Sequence, residues 1–465
     1  MPSRASHCGC QTSCLANTYR SMSEIQTNTA RQCADLIRTG TLTSKSLVRH
    51  YTDNINANNE TVRAWVDFDE DKAAHQANTL DDIRKRGQPA GPLHGIPVGL
   101  KDIYDTTEFA TQYGSPVHAQ HQPEKDCAVV EKLREAGAVV MGKTVTTEFA
   151  FMHPSDTRNP HNAKHSPGGS SSGSAAAVAA GHVPLAIGSQ TNGSVIRPAS
   201  FCGVYGFKPS RGIISRRGVL ATSNTLDQVG VFARDIGDIA LLTDTLAGYD
   251  AADTASYTEP KPQMLQGYLA EVPVEPNIAW LDMPYAAKYS EDAAQGFEEL
   301  LDALDGNVER LPTPQSFAAL LPCHKIIHEY EIVRCLKDQI DNHWDQISDT
   351  IKPVLLAAKN HTDEQYQEAL TIKTAAEDWF KEFFNDYDAI LTPSALSEAP
   401  LLGDGTGDPV CCTIWTLCGL PCINLPLLTG INDLPVGVQL VGAFRQDDRL
   451  LRTTRHLIRH LNTIA

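Results

Sequence analysis

The sequence predicts an α/β fold, with helices covering both faces of a sheet. Three observations carry that expectation. Strand and helix patterns alternate from about residue 93 onward, a charged helical stretch occupies about 315–385, and the strand pattern resumes beyond it. Alternation of this kind lays helices on the two faces of one sheet, and the helical stretch then reads as an insertion or lid between two parts of that sheet.

The elements follow in chain order. Residues 28–57 read as two helices, with Thr43 and Ser44 between them as caps, because a hydroxyl there takes up an otherwise unpaired N–H of the first turn. GIPVGLKDI (95–103) reads as a short strand entering a loop. AVVEKLREAG (128–137) is an amphipathic helix closed by Gly137, and AVVMGK (138–143) follows as a buried strand. After GGSSSGS (168–174), AAAVAAG is a helix of small residues, and VPLAIGS (183–189) and CGVYGFK (202–208) are strands. NIAWLD (277–282) with a helix at 290–305 makes a further βα unit, and YDAILTPS (387–394), PCINLPL (421–427) and PVGVQLVG (435–442) complete the sheet. Residues 1–22 are expected to be a disordered tail and 23–465 a single domain. Cys8, Cys10 and Cys14 stand beside His7 in that tail, at a spacing that fits no common zinc pattern.

Composition narrows the partners. The 465 residues are 42% hydrophobic and 20% charged, ordinary for a globular protein, and 39 basic against 56 acidic side chains leave a net charge of −17. Such a surface disfavours nucleic acid and anionic membranes and leaves a small neutral substrate unconstrained. Twelve cysteines are too sparse for a disulfide scaffold, and Cys202, Cys418 and Cys422 lie in apolar runs, as reduced core residues do. The amino end lacks the apolar core of a signal peptide and no run of about 18 apolar residues occurs, so a cytosolic protein is expected.

GGSSSGS admits three readings. A flexible linker would separate two modules, yet this segment runs straight into an alanine-rich helix inside a continuous α/β pattern. A nucleophile elbow would centre G-x-S-x-G on Ser171, but that motif needs a strand just before it and NPHNAKHSP (159–167) is turn material. The third reading is a backbone nest at a helix start, where consecutive N–H groups meet hydroxyls that relay protons. Its partner is GSQTNGSVIRPAS (188–200), in which a strand ends in a tight turn that offers the N–H groups of Thr191, Asn192, Gly193 and Ser194 beside a serine, as an oxyanion hole requires. The plain alternative is a strand-to-helix turn capped by Ser194. A serine nucleophile needs a base. Lys101, in the apolar GIPVGLKDI, serves if burial brings its pKa toward neutrality; the alternative is a surface lysine paired with Asp102.

Together these residues resemble the amidase signature hydrolases. The resemblance runs through GPLHGIPVGLKD, CAVVEKLREAGAVVMGKTVTTEFA, the long block from NPHNAKHSPGGSSSGS to FCGVYGFKP, YDAILTPSA and LPVGVQLVG, in the family's order. It implies an α/β/α sandwich with a large mixed sheet and a Ser–cisSer–Lys triad. Carried over by motif, Lys101 is the base, Ser170 the bridging serine with a cis peptide, and Ser194 the acyl-forming nucleophile, with an oxyanion hole at Thr191–Ser194. Gln190, Asn192 and Ile196 depart from the broader pattern, which has Asp, Gly and Arg there; a branch with a Q-T-x-G-S-V-I-R-P block is similar to this chain. No cofactor and no metal is implied.

The expected activity is cleavage of a carboxamide C–N bond, with a carbamate or aryl ester as the alternative substrate. A further reading is a component of a glutamine-dependent tRNA amidotransferase. The helical stretch at 315–385 and TGDPVCCTIWTLCGLP (406–421) are expected to shape the pocket, with Ser171 and Trp415 as substrate contacts. HKIIH (324–328) has Lys325 where a metalloprotease helix has Glu, so its histidines are expected on the surface or in the pocket wall. HNAKH (161–165) has the same spacing but lies in a loop, and no metal is expected there. The assembly is left between a monomer and a homodimer.

Overall fold

A computed structural model describes residues 28–304 and 306–464. The tail at 1–22, with its cysteines, lies outside them. Eleven strands form one mixed sheet. In chain order they are β1 (Trp65–Phe68), β2 (Pro97–Lys101), β3 (Val139–Thr144), β4 (Leu185–Gln190), β5 (Tyr205–Lys208), β6 (Gln228–Ala233), β7 (Ile278–Asp282), β8 (Val308–Pro312), β9 (Ala389–Pro393), β10 (Cys422–Thr429) and β11 (Pro435–Val441). Their order across the sheet is β1-β3-β2-β4-β6-β5-β10-β11-β9-β7-β8.

The strands β3, β2, β4 and β6, on one side of the sheet, position the site. β2 runs parallel to β3 on one side and to β4 on the other, with Leu100 opposite Lys143 and Ile187. Parallel neighbours end on the same edge, so Lys101 and the Ser189–Gln190 end of β4 come together there, where open α/β sheets place their ligands. β6 returns antiparallel to β4, with Gln228 opposite Gln190, and delivers Asp227 to the same edge. β2, β3, β4 and β6 are buried throughout, which their Val, Ile, Leu and Ala content permits.

The small-residue segment is read twice by this sheet. The helix Ser172–Ala179 presses against the core so closely that a Cβ on Gly173 would fall 2.2 Å from Ala64 O. Gly188 in β4 leaves room for Ser171, whose Oγ would lie 2.7 Å from a Cβ there.

Thr43 caps the helix Ser44–Val62 in a reciprocal capping box with Ser46. The expected strand at 202–208 begins only at Tyr205, because Cys202 ends the helix Ile196–Cys202 and Gly203 caps it at φ 66°. β1, β6, β8 and the helices Ile236–Leu246 and Asp447–Ile464 stand where the sequence reading placed no element. Between β8 and β9 lie the helices Leu320–Cys335, Lys337–Asn342, Lys352–Ala358 and Asp363–Phe383. The first and last of them share a second apolar core with the helix Val410–Leu417, through Leu320, Ile327, Phe380 and Trp415, while Ile340 and Leu355 of the middle two pack with Phe149 and Ile332 in a separate cluster. No helix among the described residues is long and apolar enough to cross a membrane.

Candidate active site

Lys101 ends β2 fully buried. Its Nζ lies 2.8 Å from Ser170 Oγ, 3.1 Å from Ser171 Oγ and 2.9 Å from Ser189 Oγ. Asp102, the neighbour in sequence, pairs instead with Lys143 at 3.2 Å. Burial holds the Lys101 pKa well below the usual lysine value, and Asp227 opposes that only at a distance.

Ser170 is 2% exposed and follows Gly169 through a cis peptide bond. The Gly169 carbonyl accepts from Arg197 Nη2 at 2.7 Å, and the same guanidinium bonds Gly407 O and Thr406 Oγ1. Arg197 thereby ties the small-residue segment to the loop before the helix Val410–Leu417. Ser171 is fully buried; its Oγ accepts from Ser189 N and donates to Ser189 O, each at 3.2 Å.

Ser194 stands in the turn between β4 and the helix Ile196–Cys202. Gln190 organises the turn. Its Oε1 accepts from Val195 N at 2.8 Å and Ile196 N at 3.0 Å, and its Nε2 donates to Thr416 Oγ1 at 2.9 Å. A carboxamide thus takes up the first-turn N–H groups as an acid would, and its extra donor reaches a second helix. Asp227 holds the turn from below, accepting from Thr191 Oγ1 at 2.6 Å and from Thr222 N and Ser223 N. Among the described residues, none accepts from the N–H groups of Asn192, Gly193 or Ser194.

The turn opens on a cavity of about 570 Å³. Thr191, Asn192, Gly193 and Ser194 form its floor, and Phe151, Met152, Leu321, His324, His328 and Val410 are among its walls. Burial holds both imidazoles neutral, His324 at about 3 and His328 at about 4. Among the described residues no cluster of His, Cys, Asp or Glu could hold a metal ion.

Two expected substrate contacts are placed elsewhere. Ser171 is not on the cavity lining, because its hydroxyl is spent on Lys101 and β4. Trp415 is fully buried against Phe380, on the core face of its helix; Val410 and Thr413 of that helix line the cavity. Reading the sequence missed Ser189, Asp227 and Thr416. A serine at a strand end, an aspartate before a strand and a threonine in an apolar helix carry no signal until the sheet brings them to one edge. The HKIIH histidines do face this cavity.

Comparison with known proteins bears on the family and the fold. The Amidase family profile matches residues 46–451. A glutamyl-tRNA(Gln) amidotransferase chain from Moorella thermoacetica is 33% identical, over 89% of this chain and 92% of its own. Among solved structures, native peptide amidase from Stenotrophomonas maltophilia superposes with a TM-score of 0.79 at 27% identity, over 94% of this chain and 97% of its own. A vestigial complex related to the origins of an s-triazine catabolic enzyme superposes at 0.87 and 24% identity, over 93% and 98%, and shows the shared fold alone. With a profile that matches residues 46–451 and a relative 33% identical over 89% of its length, the chain belongs to the amidase family.

Proposed function

We propose that this protein is a serine hydrolase that cleaves the C–N bond of a small-molecule carboxamide through an acyl-enzyme on Ser194, with Ser170 as proton bridge and Lys101 as base. One observation carries the reading: a fully buried lysine amine surrounded by hydroxyls, with Ser170 Oγ at 2.8 Å and, among the described residues, no carboxylate in contact. A neutral amine has two N–H donors and one lone pair. Ser171 spends its hydroxyl hydrogen on Ser189 O and can only accept from Nζ, which leaves the lone pair for Ser170 or Ser189.

The chemistry follows. Ser170 passes its proton to Lys101 and takes one from Ser194, whose oxygen attacks the substrate carbonyl. The N–H groups of Thr191 to Ser194 receive the oxyanion, and one such donor is worth about 2.7–4 kcal/mol. Ser170 returns a proton to the leaving nitrogen, and water then releases the acyl group by the same relay. No step calls for a cofactor. A carbamate or aryl ester presents the same acyl carbon and is the alternative substrate.

The relatives that carry an amidotransferase name give a second reading, with glutamine as the amide. Glutamine brings an α-ammonium and an α-carboxylate. Each cation on the cavity lining already has a protein partner, Arg197 on the Gly169 and Gly407 carbonyls and Lys325 near Glu329 at 3.7 Å. The lining therefore offers the α-carboxylate of glutamine no unpartnered cation, while Glu329, Asp404 and Asp408 on the same lining tolerate an ammonium, so the walls favour a substrate without a carboxylate, expected to meet a cytoplasmic enzyme as a free small molecule. A panel of aryl amides, alkyl amides, carbamates and glutamine, with Ser194→Ala as control, tests the choice. Turnover of an uncharged amide that the control abolishes is expected. Turnover of glutamine alone establishes the second reading, and a control as active as the wild type removes Ser194 from the chemistry.

A further inference from the structure

We infer that His324 and Thr416 are positioning residues that pin successive peptide planes of the oxyanion turn, so that the helical insertion and the helix Val410–Leu417 together hold its N–H groups beside Ser194. The inference rests on the reading of Ser194 as nucleophile.

A trans peptide group is rigid, with its C=O antiparallel to its N–H, so tying the carbonyl aims the amide. The Thr191 carbonyl lies 2.9 Å from His324 Nε2. A carbonyl only accepts, so Nε2 carries the hydrogen, and burial keeps the ring in that neutral form. This bond fixes the plane that bears Asn192 N–H. The Asn192 carbonyl accepts from Thr416 Oγ1 at 2.5 Å, which fixes the plane that bears Gly193 N–H. The Gly193 carbonyl accepts from Arg197 N at 3.0 Å, an ordinary helical bond that fixes Ser194 N–H. Three consecutive carbonyls are thus tied, two of them by side chains from remote parts of the chain.

The ties matter because the turn contains Gly193, which offers little resistance to rotation of its neighbouring peptides. A flipped peptide would present a carbonyl oxygen where the reaction needs a donor. Asn192 is held further by its side chain, whose Oδ1 accepts from Thr413 Oγ1 at 2.8 Å. Leu321, Lys325 and His328 line the cavity from the same helix as His324, so the wall that meets substrate and the clamp on the turn are one rigid piece.

The test compares His324→Leu, His324→Gln, Thr416→Val and Thr416→Ser with the wild type. Two quantities are read: kcat and KM on an amide that the wild type hydrolyses, and the rate at which a fluorophosphonate labels Ser194, followed by intact mass. The labelling also develops charge on an oxygen that needs these donors. His324→Leu and Thr416→Val are each expected to lower kcat and labelling rate about 10- to 100-fold with KM within about threefold, less than the loss of a whole donor. His324→Gln and Thr416→Ser keep a donor and are expected to recover most of the rate. If His324→Leu does not fold, the Thr416 pair decides alone. Unchanged labelling in the donor-free variants, a loss confined to KM, or no rescue by Gln and Ser overturns the inference and leaves Ser194 as nucleophile. A wild type that neither hydrolyses an amide nor labels at Ser194 removes the functional reading, and the inference falls with it.

Discussion

Two lysines stand on neighbouring strands of the sheet, one residue apart in register, and they are put to opposite uses. Lys101 ends β2 and Lys143 lies in β3 opposite Leu100, and both are fully buried. Lys143 meets the Asp102 carboxylate at 3.2 Å, with Tyr104 O and Thr111 Oγ1 each at 2.7 Å. Lys101 meets three hydroxyls. Burial pushes both pKa values down, but for Lys143 the adjoining carboxylate pulls back, whereas for Lys101 the opposing charge is the more remote Asp227. Burial therefore does not by itself make a base. The neighbours decide, and Asp102, which follows Lys101 in sequence, is turned toward the other lysine.

The comparison breaks most directly on Lys101→Met. Loss of the general base is expected to lower kcat about 10²- to 10⁴-fold with the fold retained. Circular dichroism and steady-state kinetics check both halves. A variant that keeps its activity would mean that the lysine serves packing alone.

Ser189→Asp would give Lys101 the surroundings of Lys143. A carboxylate in place of the hydroxyl at 2.9 Å is expected to raise the Lys101 pKa by about one to three units. The neutral amine is the base, so activity falls on the acid side of its pKa. In the wild type that acid limb is expected well below the ordinary lysine value of 10.5. In the variant it moves up by the same one to three units, so the loss of activity on the acid side sets in at correspondingly higher pH and activity recovers in alkali. His324 and His328, at about 3 and 4, lose no charge near neutral pH and do not produce a limb there. Stability gives an independent check. Between the folded Lys101 pKa and 10.5 the unfolded chain holds one more proton, so stability rises with pH through that window, and Lys101→Met removes the slope.

Lys143→Met tests the other side. It leaves Asp102 buried without its counter-charge, and such a break costs about 3–5 kcal/mol. The expected signature is a lower denaturation midpoint with kcat within about tenfold of wild type. A catalytic loss as large as that of Lys101→Met in a folded protein would show that the two lysines work as one unit.

These residues also mark what was legible in the sequence. Lys101, Ser170 and Ser194 stand in segments whose residue types suit their roles, and the structure brings Lys101 and Ser170 into contact. The turn at 191–194 was equally visible, because glycine and a strand end announce it. What holds the turn was not visible. His324 and Thr416 reach it from segments that read as a charged helix and an apolar one, and only tertiary packing selects their partners. The edge strands β1 and β8 are short or largely exposed, and carry too little apolar alternation to stand out.

The smallest expected effect falls on the serine that a motif scan would choose first. Ser171 is the centre of G-x-S-x-G, yet its Oγ lies farther from Lys101 Nζ than those of Ser170 and Ser189, and its hydrogen is directed at Ser189 O. It cannot carry a proton toward Lys101 without breaking that bond. Ser171→Ala should therefore lower kcat by less than about tenfold and Ser170→Ala by about 10²-fold or more, measured on the same amide. A larger loss at Ser171 than at Ser170 would move the bridge to Ser171 and redraw the boundary between the two lysines, because the hydroxyl cage around Lys101 would then be a relay throughout.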